Sequence, residues 1–288
     1  MKLYKLLSLA SALFLSWNVN AQDEWDDDLS HLDDLNNKTT ATFKTTRVAT
    51  GHSVEQVKTG VLDFRINHRF GRVSDGFKNF FGLDNAVTRI GADYGITDYL
   101  MVGVGRSTLN KEYDGFAKVK LLSQSKKKSP VTVNYLAGMY VVSETIPVSD
   151  LAFFNRVSYT HQVLVARKFN DKLSIQIMPT LTHFNMTATA DESNTIFAMG
   201  LAGRYKLTKR LALTAEYYYV PETMKRNSNY NPLTIGLDIE TGGHVFQLFF
   251  SNATGISERS LFTNTYSQWG KGQIQFGFNI SRVFTLHD

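Results

Sequence analysis

The stretch VLDFRINHRFG, residues 61–71, alternates almost without a slip. Leu62, Phe64 and Ile66 fall on one side; Asp63, Arg65, Asn67 and Arg69 fall on the other. A period of two predicts a strand with one apolar face and one polar, charged face. The same period continues through the chain. It predicts twelve strands, near Val61–Phe70, Val87–Tyr94, Leu100–Ser107, Tyr113–Leu122, Val131–Ser143, Phe154–Lys168, Leu173–His183, Thr195–Tyr205, Leu211–Val220, Leu233–Glu240, His244–Asn252 and Gln273–Phe284. Many approach the ~9–11 residues that a tilted strand needs to cross a hydrocarbon core, whereas strands of soluble domains average about 5–6.

The connections alternate too. Gly95–Tyr99, Ser123–Pro130, Asn170–Lys172, Thr208–Arg210 and Thr241–Gly243 are compact. Gly71–Ala86, Glu144–Phe153, Asn185–Asn194, Pro221–Pro232 and Ala253–Gly272 are longer, and only Thr108–Glu112 is short on the long side. An even strand count, tight turns on one side and long loops on the other are the pattern of a membrane β-barrel.

The faces agree between strands. Phe197, Met199 and Leu201, then Leu233, Ile235, Leu237 and Ile239, then Phe246, Leu248 and Phe250, and finally Ile274, Phe276, Phe278 and Ile280 make one face. Arg204, Thr234, Gly236, Asp238, Glu240, Gln247, Gln275, Gly277, Asn279 and Ser281 make the other. Backbone groups in lipid must be paired internally, so such an apolar face meets hydrocarbon only on a closed sheet. The expected fold class is all-β: a single antiparallel transmembrane β-barrel of about 12 strands over residues 61–288. The competing reading is a secreted β-sandwich, which calls for shorter strands at tighter spacing. Tyr205, Tyr217, Tyr218 and Tyr219, with Phe153 and Phe154, fall near strand ends and suit an aromatic girdle.

Composition sharpens the picture at the N-terminus. MKLYKLLSLASALFLSWNVNA combines Lys2 and Lys5 with an apolar run and a small-residue ending at Ala21, the pattern of a signal peptide over residues 1–21. Residues 22–38 read as an acidic flexible tail, with Asp23, Glu24, Asp26, Asp27, Asp28, Asp33 and Asp34. The formal net charge of +5 therefore conceals a more basic body. No nucleic-acid motif accompanies that charge in an exported chain, so no nucleic-acid partner is expected. There is no cysteine, which excludes disulfides and thiolate metal sites.

Several separated blocks carry a resemblance: TATFKTTRV, GHSVE, VLDFRINHRFG, GLDNAVTRIGADYGITDYLMVGVGRS, YDGFAKVKLL, SYTHQVLVARKF, GRYKLTKRLALTAEYYYV, IGLDIETGGHVFQLFFSN and QFGFNISRVFTL. Across roughly Thr39 to Leu286 the chain resembles a Bacteroidota outer-membrane β-barrel family catalogued as a domain of unknown function. The resemblance implies a barrel and an envelope address, and brings no catalytic residue with it.

The face opposite the lipid is expected to gather Asp63, Arg65, Arg69, Arg89, Asp93, Asp114, Lys118, Lys120, Arg156, Arg204, Glu216, Asp238 and Glu240 into a lumen. Both signs are present, so the charges are expected either to pair across the lumen or to bias ion passage. Residues 39–60 have no place in a closed twelve-strand wall. They are expected to be a plug in the lumen or against the periplasmic mouth, with Arg47, His52 and Glu55 reaching the lumen charges, or else a linker or an extra strand.

Catalysis has weak support. Ser158 and His161 are three apart on one strand, hence on opposite faces. GVGRS at 103–107 lacks the strand-to-helix setting of a phosphate loop, and the histidines lack metal-ligand spacing, so no metal and no cofactor are expected. Gly91, Gly95, Gly103, Gly105, Gly200, Gly203, Gly236 and Gly277 suit bending and close approach in a barrel wall. The leading expectation is an outer-membrane pore for ions or small solutes, surrounded by outer-membrane lipid, inserted by barrel-assembly machinery, with both termini periplasmic. The alternative is a non-conducting envelope scaffold or binding barrel, and a third reading is a lipid-hydrolysing barrel.

Overall fold

A computed structural model describes residues 38–144, 152–226, 228–241 and 244–286. The expected signal peptide, nearly all of the acidic tail and the glycines of the GGH turn at 242–244 lie outside the described residues. The chain folds into twelve strands: β1 (Val61–Arg72), β2 (Ala86–Thr97), β3 (Leu100–Ser107), β4 (Glu112–Leu122), β5 (Thr132–Val142) and β6 (Val157–Lys168). The second half holds β7 (Leu173–Phe184), β8 (Thr195–Lys206), β9 (Leu211–Tyr219), β10 (Leu233–Thr241), β11 (His244–Ser251) and β12 (Gln275–Thr285). One short helix, α1 (Glu258–Thr263), lies in the β11–β12 connection.

Each strand pairs antiparallel with its neighbours in sequence, and β1 pairs with β12 to close the barrel. Closure is in register from Val61↔Thr285 to Arg69↔Gly277. It removes the free edges that an open sheet would expose to lipid. Two strand starts differ from expectation by more than one residue. Residues Phe153–Arg156 form a 3-10 turn, so β6 begins at Val157. Gln273 and Ile274 precede β12, which begins at Gln275. Pro179 sits mid-strand in β7, pairing with Met199 of β8. It lacks an N–H, and it lies where the β6–β7 ladder is interrupted between Gln162↔Thr180 and Val165↔Ile177.

The pleat sorts side chains by polarity. Phe64, Ile90, Val104, Met139, Leu181, Leu201, Ile235 and Phe250 are exposed on the outside. Their sequence neighbours Arg65, Asp63, Arg89, Thr180, Thr182, Ala202, Thr234 and Ser251 are buried inside. Aromatic rings reinforce the outer face across the closing seam: Phe70 stacks on Phe276 at 5.7 Å and His68 on Phe278 at 5.0 Å. Tyr205, Tyr217 and Tyr219 face outward, but Tyr218 does not belong to that belt. It is fully buried, because alternation along β9 turns it inward between its two neighbours.

Eight strands make a barrel just wide enough for its own side chains to fill, so a twelve-strand barrel needs another occupant or water. Two pieces of the chain supply it here. Residues 42–54 are almost entirely buried, with Phe43, Val48, Ser53 and Val54 at 2% exposure or less. From the long-loop side, the β11–β12 connection contributes Ala253, Leu261, Phe262 and Thr265, likewise buried. Phe43, Val48 and Val54 join Leu261 and Phe262 in one apolar cluster with Met178, Ile196 and Tyr218 of the wall.

Candidate functional site

Residues 38–60 begin and end at the short-turn mouth. Lys38 bridges to Ser125 and the Thr39 N–H donates to Gln124 O at 2.8 Å, both in the β4–β5 connection. At the other end Thr59 pairs with Gly95, and the Gly60 N–H donates to Gly95 O at 3.0 Å. A Cβ on Gly95 would collide with the Lys58 carbonyl, so this crossing needs a glycine. The Thr59 hydroxyl and N–H donate to Asp98 Oδ1 at 2.9 and 3.2 Å, and these two bonds hold the Asp98 carboxyl below its ordinary range.

Between those anchors the segment forms a hairpin that points into the barrel. Arg47 and His52 bridge antiparallel, the Val48 N–H donates to Gly51 O at 2.9 Å, and the Ser53 N–H donates to Thr46 O at 3.0 Å. The turn leaves three N–H groups without a backbone partner, and all three find one carboxylate. Ala49, Thr50 and Gly51 donate to Glu216 of β9 at 3.4, 2.9 and 3.1 Å. Such a nest of N–H groups is a ready anion site, here filled by the protein's own side chain. On the opposite side Asn279 of β12 donates to Ala49 O at 2.6 Å, and Gln247 of β11 donates to Val48 O at 2.7 Å. Gly51 lies so close to the wall that a Cβ there would strike the Tyr218 hydroxyl.

The charges expected in the lumen fall into distinct sets. Asp93 accepts from Arg47 at 3.0 Å and from Thr46 at 2.9 Å. Arg65 donates to Asp63 at 3.0 Å and to Thr46 at 3.2 Å, while Ser281 donates to the other oxygen of Asp63. Arg89 grips Asp114 with two hydrogen bonds and needs the space that Gly91 and Gly105 leave, since a Cβ on either would meet its guanidinium. Arg69 donates to Thr50 Oγ1 at 3.1 Å and Asn279 Oδ1 at 3.0 Å, and its guanidinium lies 4.1 Å from the Phe249 ring centre. Lys118 donates to the carbonyls of Ser53 and Glu55 at 2.9 and 2.6 Å, capping the returning arm of the hairpin.

Other predicted residues sit nearer the short-turn rim. Glu55 accepts the Phe43 N–H at 3.1 Å, while Lys120 is only partly buried. Glu240 pairs with Lys44 at 2.5 Å, and Arg204 approaches Asp238 at 4.0 Å. Arg156 is a correction. It belongs to the 3-10 turn before β6 and donates to Glu144 O at 2.8 Å, outside the strand wall. Ser158 faces inward and His161 outward, where His161 Nδ1 meets the Tyr135 hydroxyl at 2.6 Å.

Several residues of this interior fall outside the expected lumen set. Gln176 of β7 accepts from Val54 N and donates to His52 O, both at 2.8 Å, and Asn134 of β5 donates to Val54 O at 2.8 Å. Glu258 of α1 accepts from the Tyr140 hydroxyl at 2.9 Å and stands 3.7 Å from His52 Nε2. Glu112 of β4 accepts from Ser257 at 2.5 Å and Arg259 at 3.0 Å. The signal for α1 is local: Ser257 and Ser260 form a capping box just before the apolar pair Leu261 and Phe262. Together the two inserted pieces leave a cavity of about 10 Å³ beside Arg47, His52, Arg89 and Glu258.

The chain is similar to several solved structures. A NanC porin matches with a TM-score of 0.50 at 13% identity, over 77% of this chain and 98% of that one. A KdgM porin matches at 10% identity and TM-score 0.45, over 79% and 99%. Omp33 of Acinetobacter baumannii matches at 10% identity and TM-score 0.42, over 77% and 97%. At such identities the likeness to NanC is one of fold. No curated protein matches the chain at a significant level. The sequence model of one family matches residues 43–284, from the inner hairpin to the last strand, and the chain belongs to that family, the membrane bound beta barrel domain family (DUF5777).

Proposed function

We propose that the protein is an outer-membrane barrel whose polar lumen is a passage for ions or small solutes, held closed by residues 38–60 acting as a plug. One observation carries this reading: the hairpin is seated mainly through polar groups of the wall. Glu216, Gln176, Gln247, Asn279, Asn134 and Lys118 all bind its backbone. Water can replace such partners, so each neutral bond adds only ~0.5–1.5 kcal/mol net and those of Glu216 and Lys118 ~1.5–3 kcal/mol. A seat of this kind is reversible in a way that a dry apolar core is not. In the open state Asp63, Arg65, Arg89, Asp93 and Asp114 line a wetted lumen and set its ion preference.

The remaining features support the same setting. The outer apolar face suits outer-membrane lipid, the barrel implies an assembly machinery that inserts it, and short turns on the side where β1 begins and β12 ends suit periplasmic termini. The reading is of a non-enzymatic protein without cofactor. A second reading, a permanently closed scaffold, draws on the apolar cluster in which Phe43, Val48 and Val54 meet Leu261 and Phe262. The two differ in planar bilayers. With residues 39–58 removed, a passage shows stepwise current whose preference moves toward cations on Arg65→Glu or Arg89→Glu. A folded barrel without that segment that stays silent at all voltages rejects the passage and favours the scaffold.

A further inference from the structure

The long-loop mouth holds two adjoining cavities, of about 490 and 210 Å³, that share Phe184, Met186, Thr187, Ala188 and Arg259. The larger is within the range of small-molecule sites. Its floor is apolar: Phe184 is 4% exposed and Val157 3%. Its charged lining is one-sided. Arg156 and Arg259 border the larger cavity, with no acidic residue among its described lining side chains. Arg226 and Arg259 border the smaller, where Glu192 pairs with Arg226.

The arginines are placed rather than trailing in solvent. The guanidinium carbons of Arg226 and Arg259 lie 4.5 and 5.6 Å from the Phe184 ring centre. Glu112 holds Arg259 at 3.0 Å from outside the cavity. Two buried polar atoms at these cavities have no hydrogen-bond partner among the described residues. They are Ser158 Oγ, on a residue 1% exposed, and Arg226 Nε, on a residue 8% exposed. A buried hydroxyl and a buried N–H left unmade are costly, and both can donate to the same kind of acceptor.

We infer that this vestibule binds a small organic carboxylate with an apolar body, its carboxylate toward the arginines and Ser158 and its body against Phe184 and Met186. Arginine presents paired donors that match a carboxylate, and the apolar floor excludes a fully hydrated anion such as chloride as the best-fitting occupant. Phe184 shares the buried apolar cluster of the hairpin, but its polar partners here, Arg156, Arg226 and Arg259, bond to groups other than the hairpin among the described residues. Binding is therefore read apart from current.

The test uses the full chain, purified in detergent, with phenylacetate as probe and phenylacetamide as its uncharged match, followed by calorimetry at neutral pH. Phenylacetate binds, and phenylacetamide binds at least about tenfold more weakly, the scale of one charged hydrogen-bonding partner. Arg156→Gln, at a partly exposed turn residue, weakens phenylacetate binding by a similar factor without altering the heat-shifted gel mobility of the folded barrel. Ser158→Ala weakens it several-fold. Equal affinity for the acid and the amide, no binding of either, or wild-type affinity in both Arg156→Gln and Arg226→Gln overturns the inference.

Discussion

Glu216 on β9 accepts the backbone N–H of Thr50 at 2.9 Å, and so fixes the tip of the inner hairpin to the wall across the lumen. Ala49 and Gly51 complete the same capture. Glu216→Ala leaves three buried N–H groups without an acceptor, an expected loss of ~1–3 kcal/mol in the seating of the hairpin. The strands are untouched. Limited proteolysis of the detergent-solubilised protein is therefore predicted to cut within residues 39–60 faster in the variant, with the barrel fragment intact. Equal cutting rates contradict the role given to this carboxylate.

Gly51 and Tyr218 set the fit of that tip. Gly51→Ala drives a methyl group into the tyrosine hydroxyl and is expected to destabilise the seated hairpin by ~1–3 kcal/mol, the usual scale of overpacking. Tyr218→Phe removes the atom struck first, so the double variant recovers part of the loss. A double-mutant cycle on urea midpoints reads the coupling, and strictly additive effects contradict the contact.

The wall was legible because its physics is local. Alternation along VLDFRINHRFG is enough to place Arg65 inside and Phe64 outside, and the same rule fixes most strands to within three residues. It misplaced Arg156, since the 3-10 turn at Phe153–Arg156 has no period of two to betray it. It left Tyr218 among three outward tyrosines although alternation alone turns it inward. What fills the lumen was only half legible. Residues 39–60 stood out as surplus to the wall, but their partners Gln176, Gln247 and Asn279 are uncharged and invisible to a search for ion pairs. The β11–β12 connection is long like any outer loop; only the Ser257–Ser260 capping box and the Leu261–Phe262 pair mark it as an inserted element.

The lipid-facing surface makes its own prediction. Leu201, mid-way along β8 and 51% exposed, is expected to tolerate Phe or Ile. Leu201→Arg places a charge in hydrocarbon at a cost of ~2–4 kcal/mol near the midplane. Folding into phospholipid vesicles, followed by gel mobility across a denaturant series, measures the shift. A change below about 0.5 kcal/mol, as expected of an ordinary exposed residue, contradicts the assignment of this face to lipid.

At the short-turn rim, the Thr59–Asp98 contact has a pH signature. The folded-state carboxyl lies below its ordinary value of 3.8 because Thr59 donates twice to it. Its contribution is thus present above pH 3.8 and is lost as pH falls through the lower folded value. Carbon-detected NMR of the Asp98 carboxyl is predicted to show a midpoint below that of a free aspartate. Thr59→Val removes the side-chain donor and moves the midpoint upward; an unmoved midpoint contradicts the contact.

The central claim is that residues 38–60, seated beside the β11–β12 insert, are the part of the chain that closes the passage. Single-channel recording of the intact chain beside the same chain lacking residues 39–58, both checked as folded by heat-shifted mobility, tests it most directly. Rare or absent openings in the intact protein and sustained current steps in the shortened one are the predicted result. Indistinguishable traces from the two proteins, whether both silent or both steadily conducting, contradict it.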